Sequence, residues 1–133
     1  MIAYLDANIV IYVVEHHPVW GNKAVARITQ LQGGGEQNAA SDVHRLECLV
    51  GPFILNDQAT LADYHAFFND PDVSMLPLTA PVWERAARIR AVHHFKPLDS
   101  LHLATAIEHG CGWFLTNDIQ LRRFPDIPVE VLT

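Results

Sequence analysis

The chain has 133 residues, half of them hydrophobic and 18% charged, with 9 Lys and Arg against 15 Asp and Glu for a net charge of −6. This length suits one domain over residues 1–133, and the apolar content excludes a disordered chain, which lacks the surface burial that offsets ordering entropy. No apolar run nears the roughly 20 residues of a membrane-spanning helix, and so acidic a chain is a poor general binder of nucleic acid, where Lys and Arg contacts to phosphate supply most non-specific affinity.

In chain order, Ile2–Leu5 is a short apolar run that stops abruptly at Asp6-Ala7-Asn8, and it reads as a buried strand. With no basic flank it does not read as a signal peptide. Residues 9–14 are β-branched and apolar, and are expected as a helix capped by Asn8 and broken at Pro18. Ala24, Ile28 and Leu31 keep helical spacing, with Val25 beside them, until Gly33-Gly34-Gly35. A brief strand at residues 37–40 leads to a helix from Asp42, with Ser41 as its cap and Pro52 interrupting it. Leu61, Tyr64, His65 and Phe68 mark another helix, which ends before Asp70-Pro71. Residues 73–78 read as a strand. Val82, Ala86, Ile89 and His93 form one helical stripe. Residues 100–109 form a helix opened by Lys96-Pro97-Leu98-Asp99, apolar nearly all round and therefore buried. Strands at Trp113–Thr116 and residues 129–132 flank a short helix at Ile119–Arg123. This alternation predicts an α/β domain with a mostly parallel central sheet of four to five strands flanked by helices.

In open parallel sheets, ligands bind beyond the carboxyl ends of the strands. Asp6 ends the first strand. Glu47 lies just over one helical turn beyond Ser41-Asp42, Asp118 follows the strand that starts at Trp113, and Asp99 opens the most apolar helix. Each acid alone has a structural explanation: Asp6, Asn8 or Asp118 as a cap, Glu47 as a solvated residue, Asp99 as a charge favoured by roughly 0.3–1 kcal/mol at a helix N-terminus. Four of them at the ends of separate elements, each beside buried sequence, call for a partner, because unpaired buried charge is expensive. A hard divalent cation such as Mg²⁺ or Mn²⁺ takes oxygen ligands and resolves that cost. The same cation would offset part of the acidic balance.

Four segments, Tyr4-Leu5-Asp6-Ala7-Asn8, Ser41-Asp42-Val43-His44-Arg45-Leu46-Glu47, Pro97-Leu98-Asp99-Ser100-Leu101-His102-Leu103-Ala104-Thr105-Ala106 and Leu115-Thr116-Asn117-Asp118, together resemble the PIN domain. The resemblance is to the VapC-type toxin ribonucleases of bacterial toxin–antitoxin pairs in particular, and it spans essentially the whole chain in the family's order. It implies a single PIN-like domain and a metal-dependent endoribonuclease whose acidic quartet is Asp6, Glu47, Asp99 and Asp118. Asn8, Ser41, Thr116 and Asn117 would support the quartet by hydrogen bonds. One or two Mg²⁺ or Mn²⁺ ions would be held mainly by Asp6, Glu47 and Asp99, with Asp118 binding a second ion or orienting water. Like charges packed together should raise the pKa of some of them before metal arrives. The implied partners are an RNA substrate, an antitoxin whose tail covers the active site, and a second copy of the chain in a homodimer. Two other readings keep the same residues: a housekeeping PIN nuclease acting on RNA precursors or DNA flaps, and a non-catalytic PIN-like module that binds metal or a basic peptide. The compact length favours the toxin. A phosphatase with acids at strand ends needs a second acid near the first strand and a late lysine, and the chain has neither after Asp6-Ala7-Asn8 and Lys96.

The remaining chemistry-bearing residues read as structural. Cys48 and Cys111 lack metal-ligand spacing and are expected as reduced thiols of a cytoplasmic protein. The adjacent pairs His16-His17 and His93-His94 diverge on a helix and do not make a zinc site. His44 is expected at the surface and His102 as a satisfied core or interface residue. The glycine triplet lacks the Lys-Ser/Thr of a phosphate-binding loop. Arg45, beside the acids, is the candidate RNA contact, while Arg85, Arg88, Arg122 and Arg123 read equally as a solvated face. Trp20, Phe67, Phe68 and Trp83 exceed the needs of a small core, and if exposed they would suit a protein partner.

Overall fold

The computed structural model describes residues 1–133. The elements run β1 (Ile2–Leu5), α1 (Ala7–Val14), α2 (Gly21–Gly33), β2 (Gln37–Ser41), α3 (Asp42–Leu55), α4 (Gln58–Phe68), β3 (Val73–Leu76), α5 (Ala80–His93), α6 (Pro97–Glu108), β4 (Trp113–Thr116) and β5 (Val129–Val131), with a 3₁₀ turn at Ile119–Arg123 before the last strand. All four strand pairings are parallel and the sheet order is β3-β2-β1-β4-β5. The chain thus winds outward from β1 in one direction, then returns to lay β4 on its other side. That reversal is the topological switch point where α/β sheets open a crevice at the strand carboxyl ends.

Both faces of the sheet are covered, which is why its strands read as apolar runs and not as alternating ones. Side chains alternate from residue to residue along a strand. Tyr4 and Phe114 therefore face α5 and α6, packing with Val82, Ile89, Leu101 and Leu103. Leu5 and Leu115 face the opposite way and pack with Ile9 and Val10 of α1 and Tyr64 and Phe68 of α4. The helix after Lys96 is buried along Ser100–Ala106, as its unbroken apolar character predicts.

Several local expectations differ from the structure for identifiable reasons. Asp6, not Asn8, caps α1: its carboxylate accepts from the Ala7 N–H. Pro52 lies inside α3, which continues to Leu55 and ends at Asn56 in the left-handed region (φ 51°). Pro52 gives up one helical hydrogen bond, and its burial helps to hold it there. β3 is shorter than its apolar run because Pro77 cannot donate to the ladder. Val25 is exposed beside its buried stripe, and among the surplus aromatics only Trp83 is exposed; Phe68 is in the core and Trp20 and Phe67 pack against it. Of the four arginines on the solvated face, Arg85 pairs with Glu108 and Arg123 lies over Phe95.

The packing yields a direct test. Leu103 is fully buried and Val92 is exposed. Leu103→Ala should cost about 2–5 kcal/mol in guanidinium denaturation, whereas Val92→Ala should stay within about 0.5 kcal/mol of the parent.

Candidate functional site

Asp6 follows the last residue of β1. Its backbone N–H donates to the Leu115 carbonyl at 2.8 Å, which extends the β1–β4 ladder by one rung and places its side chain in the crevice between the two strands. Asp6 is only 4% exposed. One oxygen accepts from the Ala7 N–H at 2.8 Å and the other from the Thr116 hydroxyl at 2.7 Å. Burial pushes its pKa above the ordinary value. The nearby His102 and the bonds from Thr116 and Ala7 pull it back, while Glu47 pushes it further up.

Thr116 serves two acids. Its hydroxyl donates to Asp6 and accepts from the Asp118 N–H at 3.0 Å. The Asp118 carboxylate accepts from the Gln120 N–H at 3.0 Å and so caps the 3₁₀ turn. Asn8 and Asn117 brace the same loop. The Asn8 side chain accepts from the Asn117 N–H at 3.2 Å, and the Asn117 amide links the Tyr12 hydroxyl to the Leu132 carbonyl. Asn8 and Asn117 therefore hold the backbone that carries the acids and bond to no acid themselves.

Asp99, in the first turn of α6, is half-buried and its pKa rises to about 6. Burial is the largest cause, followed by the charges of Asp6 and Asp118; His102 opposes the shift and Glu47 adds to it. One carboxyl group thus senses the other three predicted acids, which arrive from β1, α3 and the loop after β4. No three His, Cys, Asp or Glu side chains are gathered closely enough, as they stand, to hold a metal ion together. The donor chemistry nevertheless fits a hard divalent cation: oxygen donors whose repulsion and burial raise the Asp6 and Asp99 pKa values would be relieved by a positive charge among them.

Two histidines belong to this region. His102 is fully buried, and its Nε2 lies 2.5 Å from a Glu47 oxygen and 3.8 Å from Asp6. Burial alone would lower its pKa, but the bond to Glu47 and the Asp6 charge raise it. His44, expected at the surface, is fully buried as well. It sits at the third position of α3, where a capping box places a side chain that reaches back to the cap backbone. Its Nδ1 accepts from the Ser41 N–H at 3.1 Å, and its Nε2 bonds the Leu5 carbonyl at 2.6 Å. Burial and the neighbouring His102 push its pKa down to about 3. The capping position was a readable signal for His44. For His102 the signal was a polar residue in a helix apolar all round, which must find a buried partner.

Other expectations change. Ser41 touches no acid; its hydroxyl lies 2.9 Å from Tyr4 Oη and accepts from the Val43 N–H. Arg45, the candidate RNA contact, is partly exposed, pairs with Asp42 at 2.8 Å and lies over Phe68 at 4.9 Å. Cys48 is buried with its thiol pushed up to about 12, which leaves no thiolate for nucleophilic chemistry.

The raised Asp99 pKa has a consequence for stability. In the metal-free fold this group keeps its proton to about pH 6, whereas unfolded it releases it near 3.8. The fold binds more protons across that window, so stability is greatest below it and is lost as the pH rises through it. Asp99→Asn removes that loss. Thermal melting should show the variant above the parent at about pH 7, with the difference closing towards about pH 4.

A family model described as the PIN domain matches residues 3–127. Among solved structures, the fold is similar to VapBC2 from Rickettsia felis bound to a DNA fragment from their promoter, with a TM-score of 0.82 at 19% identity over 100% of both chains. DNA-bound VapBC from Salmonella typhimurium matches with a TM-score of 0.77 at 20% identity, covering 98% of this chain and 97% of that one. VapC20 of Mycobacterium tuberculosis, a sarcin-ricin loop cleaving toxin, matches with a TM-score of 0.66 at 14% identity, covering 84% and 86%. At these identities the likeness carries the fold. No curated protein sequence matches the chain.

Proposed function

The chain belongs to the PIN-domain family, and from that premise we propose that it is a metal-dependent endoribonuclease toxin of the VapC type, kept silent by an antitoxin. The observation that carries this reading is the buried Asp6 carboxylate at the crevice between β1 and β4, with the Glu47 carboxylate reaching the same His102 ring nitrogen and Asp99 close enough to feel both charges. The structural relatives support the rest: two are VapBC assemblies and one is a toxin that cleaves the sarcin-ricin loop.

Asp6, Glu47 and Asp99 would hold one Mg²⁺ or Mn²⁺, and Asp118 would contribute to a second ion or orient water. When bound, such a cation lowers the pKa of a coordinated water and stabilises the leaving oxygen of a phosphodiester. The chain's own residues do the positioning. Thr116 and the Ala7 N–H fix the Asp6 oxygens, and the Asn8–Asn117 brace fixes the loop that carries Asp118. Because the chain carries a net charge of −6, RNA phosphate would approach this acidic rim through the cations and not through a basic surface.

Cleavage of RNA by the purified chain, free of antitoxin, tests the reading. Turnover should need Mg²⁺ or Mn²⁺, stop with chelator, fall in acid as protons compete with metal for the carboxylates, and decline at least about 100-fold in Asp6→Asn. A folded chain that takes up metal but cuts neither structured nor single-stranded RNA would be a binding module instead.

The partner assignment rests on a different surface. Leu46, Val50, Phe53 and Ile54 of α3 and Trp83 of α5 are exposed, beside an apolar cavity of about 400 Å³ lined by Val43, Leu78, Leu98 and Leu101. A surface of this kind marks an interface. We assign it to a second copy of the chain, and the acidic rim to the antitoxin's tail. Light scattering should give twice the chain mass for the parent and the monomer mass for Leu46→Glu combined with Trp83→Glu. A parent that is monomeric on its own would transfer this face to the antitoxin.

A further inference from the structure

A glutamate side chain has three rotatable bonds, and Glu47 reaches the rim from α3, partly exposed, towards the buried carboxylate of Asp6. Repulsion between the two would swing Glu47 out into water unless something held it. His102 stands between them. Its Nε2 lies 2.5 Å from one Glu47 oxygen and 3.8 Å from one Asp6 oxygen, and the second Glu47 oxygen remains uncommitted.

The ring itself cannot turn. Its Nδ1 lies 2.7 Å from Tyr4 Oη, and Tyr4 is fixed by stacking on Phe114 at 5.3 Å between centroids. The same hydroxyl lies 2.9 Å from Ser41 Oγ, which receives the Val43 N–H. The His44 ring packs edge-on against His102 at 4.8 Å. A carboxylate only accepts, so Nε2 must carry the proton, whether the ring is neutral or charged. For the neutral ring the donors then align in one direction: Val43 N–H to Ser41, Ser41 to Tyr4, Tyr4 to Nδ1, and Nε2–H to Glu47. Hydrogen bonds arranged in this way polarise one another. A histidine serving only to fill the core would end such a chain on backbone; this one ends on a partly exposed carboxylate at the rim.

We propose that His102 is a positioning residue: pinned by Tyr4, its ring holds the Glu47 carboxylate beside Asp6 so that both acids face one arriving divalent cation. The proposal rests on the reading of the rim as a metal-dependent nuclease site and adds a residue outside the acidic quartet.

Two measurements on the full chain test it. In the metal-free protein, long-range ¹H–¹⁵N spectra of the imidazoles should show a solvent-protected proton on His102 Nε2 whose signal moves in Glu47→Gln. In calorimetric titration with Mn²⁺, His102→Leu should weaken binding by about 10–100-fold, Tyr4→Phe should do so to a smaller extent, and His102→Gln, whose amide N–H can reach towards the Nε2 position, should recover most of the loss. Melting curves separate these effects from unfolding. If His102→Leu does not fold, Tyr4→Phe and the spectra decide. The proposal is overturned if the Nε2 signal ignores Glu47→Gln, if a folded His102→Leu binds Mn²⁺ as tightly as the parent, or if His102→Gln does no better than His102→Leu. A parent that takes up no Mn²⁺ overturns the nuclease reading as well. A parent whose Mn²⁺ affinity falls in His102→Leu and recovers in His102→Gln, yet which cuts no RNA, removes the nuclease reading and leaves the positioning role in place.

Discussion

A carboxylate taken almost wholly out of water must be given hydrogen bonds or a countercharge, and at Asp6 the chain supplies bonds from Ala7 and Thr116 and a neighbouring imidazole. Much of the rim follows from that requirement. Thr116 must end β4 opposite Asp6, so the β1–β4 register cannot slip by a residue without inverting both side chains. The loop after Thr116 must then turn back at once, which the Asp118 cap and the Asn8–Asn117 brace accomplish. His102 must be buried beside Asp6, which requires α6 to lie close against the sheet with its Leu101–Ala106 stretch in the core. One buried charge thus ties two strands, a helix and a loop into a fixed relation.

The fold was legible because its signals were strong and local. Both-face burial of a parallel sheet turns each strand into an apolar run, and the helices between them carried clean 3.6-residue spacing or unbroken apolarity. What escaped was decided by competition between neighbours. Asp6 and Asn8 are both good caps, and only the ladder bond from Asp6 to Leu115 selects the first. Pro52 is a helix breaker by rule, yet it is buried inside α3, where packing offsets the hydrogen bond it cannot make.

The acids were legible as ends of elements, and their proximity emerges in the response of Asp99 to the other three. Of the two histidines, the burial of His102 was legible and that of His44 was not, and the partners of neither were. His44 and His102 lie on separate helices, and their partners, Leu5 and Ser41 for one, Tyr4 and Glu47 for the other, are mostly far away in sequence. Long-range hydrogen bonds to single side chains leave no periodicity behind. Nor did composition show where the surplus aromatics would go, because Phe68 and Trp83 differ only in which side of a helix meets the sheet.

The bond between Thr116 and Asp6 spans 110 positions of the chain. In a growing polypeptide, β1 and its acid emerge from the ribosome early, but β4 and the turn carrying Asp118 follow only after most of the chain has been made. Until then Asp6 lacks Thr116, Asp99 lacks Asp118, and the crevice between β1 and β4 does not exist. A partly synthesised chain is therefore unable to present the rim as a unit. Whatever the rim binds or cuts, it does so only once β4 and the turn after it are free to fold.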